Sequence, residues 1–222
     1  MIAENLERIR KEIPGHVTLV AVSKTKPVSD IQEAMAADQV VFGENKAQEL
    51  ITKAEILPEK VQWHMVGHLQ TNKVKYIAPF VTLIHSADSL KVLKTINKEA
   101  GKNERMINCL LQIHIAKEQS KYGFSADEVS QVLASEAFKS LEHINITGVM
   151  GMATFTVDAA QVRGEFKMLK TLFEHLKETY FADNDTFREI SMGMSNDYKI
   201  AIEEGSTMVR IGSDIFGERN YH

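Results

Sequence analysis

The feature of this 222-residue chain that most constrains its fold is a regular alternation between two hydrophobic patterns. Short, nearly continuous apolar runs are separated by segments of helical length whose apolar residues recur with a helical period. Eight such runs lie at residues 17–23, 39–43, 61–66, 81–85, 106–115, 144–152, 187–192 and 207–211. Strands of this kind that alternate with helices predict a parallel sheet that is buried on both faces.

Eight strand–helix units predict an α/β fold of one domain over residues 1–222, a (β/α)8 barrel of the TIM type. Pattern counting leaves an open doubly wound sheet as the alternative. Ahead of the first strand, apolar residues recur between charged ones, which predicts an amphipathic N-terminal helix at about residues 2–13.

Local signals predict where some helices begin and end. Residues 29–32 and 125–128 both have a serine followed three positions later by Gln or Glu, the capping-box pattern of a helix start. Gly101 stands where the glycine that follows a helix belongs, so the helix before it is predicted to end at residue 100.

Composition excludes several classes of function. The net charge is −4, with 26 basic and 30 acidic residues interleaved, which argues against a nucleic-acid partner. The single cysteine, Cys109, permits no intrachain disulfide. The chain begins without a signal-peptide pattern and has no apolar run of membrane-spanning length. We therefore expect a cytoplasmic protein with no membrane partner.

The first predicted strand ends in a lysine. The stretch VTLVAVSKTKP, residues 17–27, is apolar up to Ser23 and continues with Lys24. In a parallel barrel, the residues that carry chemistry collect at the carboxyl ends of the strands. A lysine partly shielded from water can lose its proton there and act as a nucleophile, and the alternative is an ordinary surface lysine.

The last two predicted strands end in small residues. Ser191, Gly193 and Ser195 precede a predicted helix, and Gly212 and Ser213 begin the turn after the eighth strand. Such turns expose backbone N–H groups that bind phosphate, although a serine before a helix is also a common cap. With a strand-end lysine, they form a set suited to a phosphate cofactor that carries an aldehyde.

Two histidines have the spacing of zinc ligands but lack the rest of a motif. His64 and His68 lie four positions apart, with no third ligand or glutamate at motif spacing. We therefore predict no metal site.

Four stretches together resemble a known family: AVSKTKP, FGEN, WHMVGHLQTNK and SMGMSNDYKIAIEEGSTMVRIGSDIFGERNY. They are similar, in order and over nearly the whole chain, to the pyridoxal-phosphate homeostasis protein family, which is related to the N-terminal barrel domain of alanine racemase. The resemblance implies a TIM-type barrel that binds pyridoxal 5′-phosphate (PLP) as its cofactor.

The resemblance also implies the role of each site residue. Lys24 would hold PLP as a Schiff base, Arg210 would face the pyridine nitrogen, and Asn45 would line the ring. The two serine–glycine turns would hold the phosphate, with Met194 contributing its backbone. The implied cofactor-binding residues are Lys24, Asn45, Ser191, Gly193, Met194, Ser195, Arg210, Gly212 and Ser213. One departure is Lys46, where the family often has an aromatic residue.

The implied function is PLP homeostasis, in which a carrier or buffer holds a reactive aldehyde and releases it to PLP-dependent apo-enzymes. An arginine at the pyridine nitrogen cannot accept a proton and weakens PLP as an electron sink, so we expect no catalytic residues. The resemblance places one racemase base in a second domain, which this chain is expected to lack, and it favours a monomer. The alternatives are a PLP-dependent amino acid racemase or related fold-type III enzyme, and an aldolase-like barrel with a phosphorylated substrate.

Overall fold

The sheet of this protein closes on itself. The computed structural model describes residues 1–118 and 122–218, and in these ranges eight parallel strands form a closed barrel in chain order. The strands are β1 (Thr18–Val22), β2 (Val41–Glu44), β3 (Gln62–Met65), β4 (Leu83–Ala87), β5 (Ile107–Gln112), β6 (Ile144–Met150), β7 (Glu189–Met194) and β8 (Met208–Ile211). Because β1 pairs with both β2 and β8, the predicted (β/α)8 barrel is confirmed and the open sheet is excluded.

Helices cover the outside of the barrel. They are α1 (Ile2–Glu12), α2 (Val28–Ala36), α3 (Ala47–Ile56), α4 (Thr71–Ile77), α5 (Leu90–Lys102), α6 (Ala126–Ala134), α7 (Glu136–Lys139), α8 (Ala159–Tyr180), α9 (Tyr198–Glu203) and α10 (Ser213–Phe216). Helix α1 precedes the first strand, buries Leu6 and Ile9 completely, and packs against α2 and α10. None of the described helices combines the length and the apolar character needed to cross a membrane.

The two capping-box predictions had opposite outcomes. At the start of α6, Glu128 N donates to Ser125 Oγ at 3.2 Å and Ser125 N donates to Glu128 Oε2 at 2.8 Å, so that box is confirmed. The box at residues 29–32 was wrong, because α2 already begins at Val28 after Pro27, which enters the helix at a φ of −69°. Ser29 therefore lies inside the first turn, beyond the position where a cap acts.

The predicted end of α5 was also wrong. Gly101 is helical, and the helix continues to Lys102. The chain leaves the helix through Asn103, and Glu104 then adopts a left-handed φ of 53°. The left-handed residue that ends a helix is most often glycine, but here a glutamate takes that conformation, which a sequence pattern does not reveal.

The apolar core has two parts. The larger part fills the layer between the barrel and its helices, and Phe42, Phe166 and Phe187 are fully buried in it. The smaller part lies inside the barrel, where inward-facing side chains from neighbouring strands meet; its members are Val20, Leu83, Leu110, Met150 and Met208. Alternate residues of each strand therefore face the two parts, as the pleat of a strand requires.

Gly148 and Gly164 provide a matched test of the barrel wall. Gly148 in β6 has a φ of +155°, and a Cβ there would lie 1.8 Å from the carbonyl oxygen of Glu189 in the neighbouring strand. Gly164 lies on the exposed side of α8, and a Cβ there would meet nothing within 4 Å.

We expect Gly148→Ala to lower the free energy of unfolding by about 2–4 kcal/mol, because β6 and β7 must separate to admit the methyl group. Gly164→Ala should raise it by about 0.5–1 kcal/mol, because alanine has the higher helix propensity. Urea unfolding followed by circular dichroism measures both values. Equal unfolding midpoints for the two variants would contradict this close spacing of β6 and β7.

Candidate functional site

The carboxyl ends of all eight strands open at one mouth, and Lys24 lies there. It follows β1, which ends at Val22, and it is half-buried. Val20 of β1 pairs with Arg210 of β8, so Lys24 lies farther toward the mouth than the level of Arg210. The strand-end lysine and the candidate arginine therefore belong to adjacent strands.

Arg210 is buried inside the barrel, with 4% of its surface exposed. Its NH1 group donates to Ser191 Oγ at 2.6 Å, and NH2 donates to the carbonyl oxygen of Gly151 at 3.1 Å. Burial lowers the pKa of Arg210 to about 10, with the Asp197 carboxylate acting in the opposite direction. The guanidinium is therefore still charged at neutral pH.

A chain of hydrogen bonds leads from Arg210 across the barrel. His85 Nδ1 lies 2.9 Å from Ser191 Oγ, and His85 Nε2 lies 3.0 Å from His64 Nδ1. We call Arg210, Ser191, His85 and His64 the barrel-core chain. Since Ser191 Oγ accepts from Arg210, its own hydrogen is directed to His85 Nδ1, which leaves His85 Nε2–H to donate to His64.

Both histidines of the barrel-core chain are neutral. Burial lowers the pKa of His64 to about 3. Burial also lowers the pKa of His85 well below its ordinary value, and the charge that a protonated His64 would carry and the charge of Arg210 act in the same direction. The barrel-core chain is thus compatible with a single positive charge, on Arg210, because a proton on either histidine would add a second buried cation to it.

Ser191 is not in the turn where the sequence placed it. Strand β7 extends to Met194, so Ser191, Gly193 and Met194 are strand residues, and the turn begins at Ser195. Ser191 is fully buried, and its hydroxyl is engaged by Arg210 and His85. Its side chain therefore orients the arginine, which distinguishes it from the mouth-facing turn residues.

The turn after β7 depends on close backbone contacts. Gly193 has a φ of +97°, and a Cβ there would lie 2.7 Å from the Cβ of Ala201 in α9. Met194 N donates to Asp197 Oδ1 at 2.6 Å, which closes the turn. A residue with a side chain at position 193 would push α9 away from the strand.

The turns after β7 and β8 touch each other. Gly212 N lies 3.4 Å from Ser195 Oγ, and α10 begins at the next residue, Ser213. A Cβ on Gly212 would lie 3.1 Å from the carbonyl oxygen of Val22, at the end of β1. The structure thus brings Ser195, Gly212 and Ser213 next to the strand that leads to Lys24.

Asn45 lies at the adjacent part of the mouth. It follows β2 directly and is half-buried, and a Cβ on Gly67 would lie only 2.2 Å from its carbonyl oxygen. Lys46, where the family often has an aromatic residue, is exposed and precedes α3 as its N-cap. The backbone of Asn45 is therefore fixed by the loop after β3, whereas Lys46 faces solvent.

The sequence did not reveal an ionic cluster behind Lys24. Lys53 of α3 is buried and lies 2.7 Å from one carboxylate oxygen of Glu44 and 2.7 Å from one of Glu49. Thr25, directly after Lys24, has a φ of 65°, a conformation that costs a β-branched residue about 1–3 kcal/mol. The available signal was a lysine on the apolar face of α3, between the buried Leu50 and Leu57.

His64 and His68 occupy separate environments. His64 faces the barrel interior, whereas His68 stacks on Tyr122 with ring centroids 3.7 Å apart and contacts Asp88 at 3.2 Å. His68, Tyr122 and Asp88 line a surface cavity of about 510 Å³. Within residues 1–118 and 122–218, no group of three or more His, Cys, Asp or Glu is arranged to hold a metal ion.

The neutral histidines make stability depend on pH. Their pKa values are lower in the folded chain than the unfolded value of about 6.5. Above pH 6.5 neither the folded nor the unfolded chain takes up these protons. Below pH 6.5 only the unfolded chain takes them up, so the free energy of unfolding decreases as the pH is lowered.

We expect His64→Gln to reduce the slope of unfolding free energy against pH by about 1 kcal/mol per pH unit between pH 6 and 5. Urea unfolding at several pH values measures the slope, with the exposed His175→Gln as the control. A His64→Gln slope equal to that of the parent protein would contradict a neutral His64.

Comparison with known proteins relates this chain to a family. The family profile described as "Alanine racemase, N-terminal domain" matches residues 1–220. The pyridoxal phosphate homeostasis protein of Pasteurella multocida is 37% identical over 234 residues, which cover 99% of this chain and 98% of the relative. That of Escherichia coli K12 is 36% identical over 242 residues, which cover 99% and 97% of the two chains.

Solved structures have the same barrel. PipY of Synechococcus elongatus with PLP bound is 34% identical, with a TM-score of 0.88, and the match covers 98% of this chain and 100% of that one. Alanine racemase of E. faecalis has a TM-score of 0.73 at 15% identity, covers 98% of this chain and 58% of that one, and so shows the fold alone. From the full-length identities and the profile match, this chain belongs to the pyridoxal phosphate homeostasis protein family, within the broader family of the alanine racemase N-terminal domain.

Proposed function

We propose that this protein binds PLP through Lys24 as a Schiff base and holds it in reserve for PLP-dependent apo-enzymes of the cytoplasm. The observation that carries the proposal is the meeting of Lys24, Arg210 and the turns after β7 and β8 at adjacent strands of one barrel mouth. The names of the relatives and the PLP-bound PipY structure support the same ligand. We further propose that the protein acts as a monomer.

Lys24 provides the covalent attachment. PLP supplies an aldehyde carbon that condenses with a primary amine. Lys24 would hold the group through a C=N bond from its neutral amine to that carbon, with the aldehyde oxygen and the two amine hydrogens released as water. The half-buried position of Lys24 at the strand end limits access of bulk water to the linkage.

The phosphate is assigned to the two touching turns. Gly193 and Gly212 have no side chains, and an added Cβ would collide with Ala201 at the first and lie only 3.1 Å from the Val22 carbonyl oxygen at the second, so the backbone is packed closely at this edge of the mouth. Ser195 and Ser213 add hydroxyl donors, whereas the N–H of Met194 already donates to Asp197 Oδ1, so Met194 supports the shape of the turn. Small residues with backbone and hydroxyl donors fit an anion that is bound without a dedicated cation.

Arg210 and Asn45 are assigned to the ring. The guanidinium of Arg210 donates hydrogen bonds and accepts no proton, so a ring nitrogen facing it stays unprotonated. An unprotonated ring withdraws electrons weakly, which disfavours bond breaking at a bound amino acid. The arginine therefore favours retention of PLP over turnover, and the barrel-core chain holds it in that orientation.

We expect the purified protein to absorb visible light after incubation with PLP, and borohydride reduction to fix the adduct on the peptide that contains Lys24. Lys24→Ala should lose the visible band and the adduct, because the substitution removes the amine that would form the linkage. Lys60 is exposed and distant from Lys24 in the sequence, so Lys60→Ala is the matched control and should keep both the band and the adduct. A Lys24→Ala protein that retains the band and the covalent adduct would refute the attachment.

Turnover distinguishes a reserve from a racemase. Racemisation needs an acid and a base on opposite faces of the substrate Cα as well as a strong electron sink. We expect the PLP-loaded protein to form D-alanine from L-alanine no faster than a mixture of the Lys24→Ala protein and free PLP does. Chiral chromatography measures both rates. Fast racemisation that depends on Lys24 would establish the enzyme alternative instead.

A further inference from the structure

We propose that Lys53 is a positioning residue that fixes the backbone on both sides of Lys24, a role that rests on the proposed function of Lys24. Lys53 lies on α3, outside the barrel wall, and its hydrogen-bond acceptors are Ser23, Glu44 and Glu49. We propose that it acts on PLP binding through the peptide that carries Lys24.

The ammonium group of Lys53 has three donors and three close acceptors. Nζ donates to the carbonyl oxygen of Ser23 at 2.8 Å, to Glu44 Oε1 at 2.7 Å and to Glu49 Oε1 at 2.7 Å. An ammonium carries three hydrogens, so each acceptor receives one. The side chain is 6% exposed, and this geometry is therefore closed to competing water.

The acceptors of Lys53 enclose Lys24 along the chain. The Ser23 carbonyl belongs to the peptide bond that joins Ser23 to Lys24. On the other side, the N–H of Thr25 donates at 2.6 Å to Glu49 Oε1, the same oxygen that Lys53 contacts. One buried cation thus determines the position of the peptide before Lys24 directly and of the peptide after it through one carboxylate.

The backbone at this point needs such support. Thr25 adopts a φ of 65°, which a β-branched residue avoids unless its surroundings hold it there. Without the hydrogen bond to Glu49, the chain would relax toward an ordinary φ, and the direction of the Lys24 side chain would change with it. A displacement of about 1 Å at a reacting group is enough to weaken its chemistry severely.

Packing alone does not explain why the cluster of Lys53, Glu44 and Glu49 is ionic. Glu44 is fully buried, and its Oε2 atom has no hydrogen-bond partner among the described residues, which is an unfavourable state for a carboxylate oxygen. Apolar side chains of similar size are commonly as stable as a buried ion pair. An apolar replacement would, however, leave the Ser23 carbonyl to the backbone N–H of Lys26, 3.0 Å away, and would give Glu49 no cation to orient it.

The test compares Lys53→Met, Lys53→Arg and Glu49→Ala with Glu55→Ala, an exposed glutamate of the same helix. We measure the PLP dissociation constant by absorbance, and the hydrogen exchange of the Thr25 amide by NMR before PLP is added. We expect Lys53→Met and Glu49→Ala to raise both the dissociation constant and the exchange rate by about tenfold or more. Lys53→Arg should recover part of each loss, and Glu55→Ala should match the parent protein.

The outcomes separate positioning from PLP binding itself. If Lys53→Met and Glu49→Ala fold and bind PLP within about twofold of the parent, the positioning role is overturned while the proposed function stands. If the parent takes up no PLP, the proposed function fails and the positioning role with it. If Lys53→Met does not fold, Glu49→Ala decides alone, because Glu49 is only half-buried and its loss leaves the Lys53–Glu44 pair in place.

Discussion

A closed barrel of eight parallel strands has an interior that only alternate side chains can fill, and the rest of this structure depends on how they fill it. Met208 and Leu83 precede Arg210 and His85 on the same inward faces of β8 and β4, so apolar residues lie below polar ones. The apolar layer excludes water from one end of the barrel, and the polar layer opens toward the mouth. This gradient allows a charged group to be buried close to a site that solvent still reaches.

The guanidinium of Arg210 determines the chemistry of the polar layer. A buried charge is tolerated only when hydrogen bonds replace its water, and Ser191 and the Gly151 carbonyl supply them. Burial lowers the pKa of His85, the charge of Arg210 adds to that effect, and His85 therefore stays neutral. A layer with one fixed cation and neutral histidines has little capacity to accept protons. That property suits a protein that keeps a reactive aldehyde attached better than one that transforms substrates.

Much of the fold was predictable because it depends on short-range periodicity. Eight apolar runs gave eight strands, and Ser125 capped α6 as its pattern indicates. The failures at residues 29–32 and at Gly101 came from backbone choices near Pro27 and Glu104 that a four-residue pattern does not contain. Lys24 was singled out because a lysine after a buried strand stands out in the sequence and because the stretch around it resembles the family, and its role stays a proposal. The barrel-core chain was not, because His64, His85 and Ser191 meet only when three separate strands are brought together across the interior.

The contrast between Lys24 and Lys53 shows how position decides what a lysine does. Lys53 and Glu44 both occupy places where the pattern calls for apolar residues: the inner face of α3, and the outward face of β2 that Phe42 shares beneath the helices. Either residue alone would leave an uncompensated buried charge, which is far more costly than the pair. Each therefore requires the other, and the pair fixes the Ser23 carbonyl as a consequence of its own need for partners. A charge pair buried for this reason orders the loop before any ligand arrives, so the backbone around Lys24 is already oriented for the aldehyde that we propose it binds.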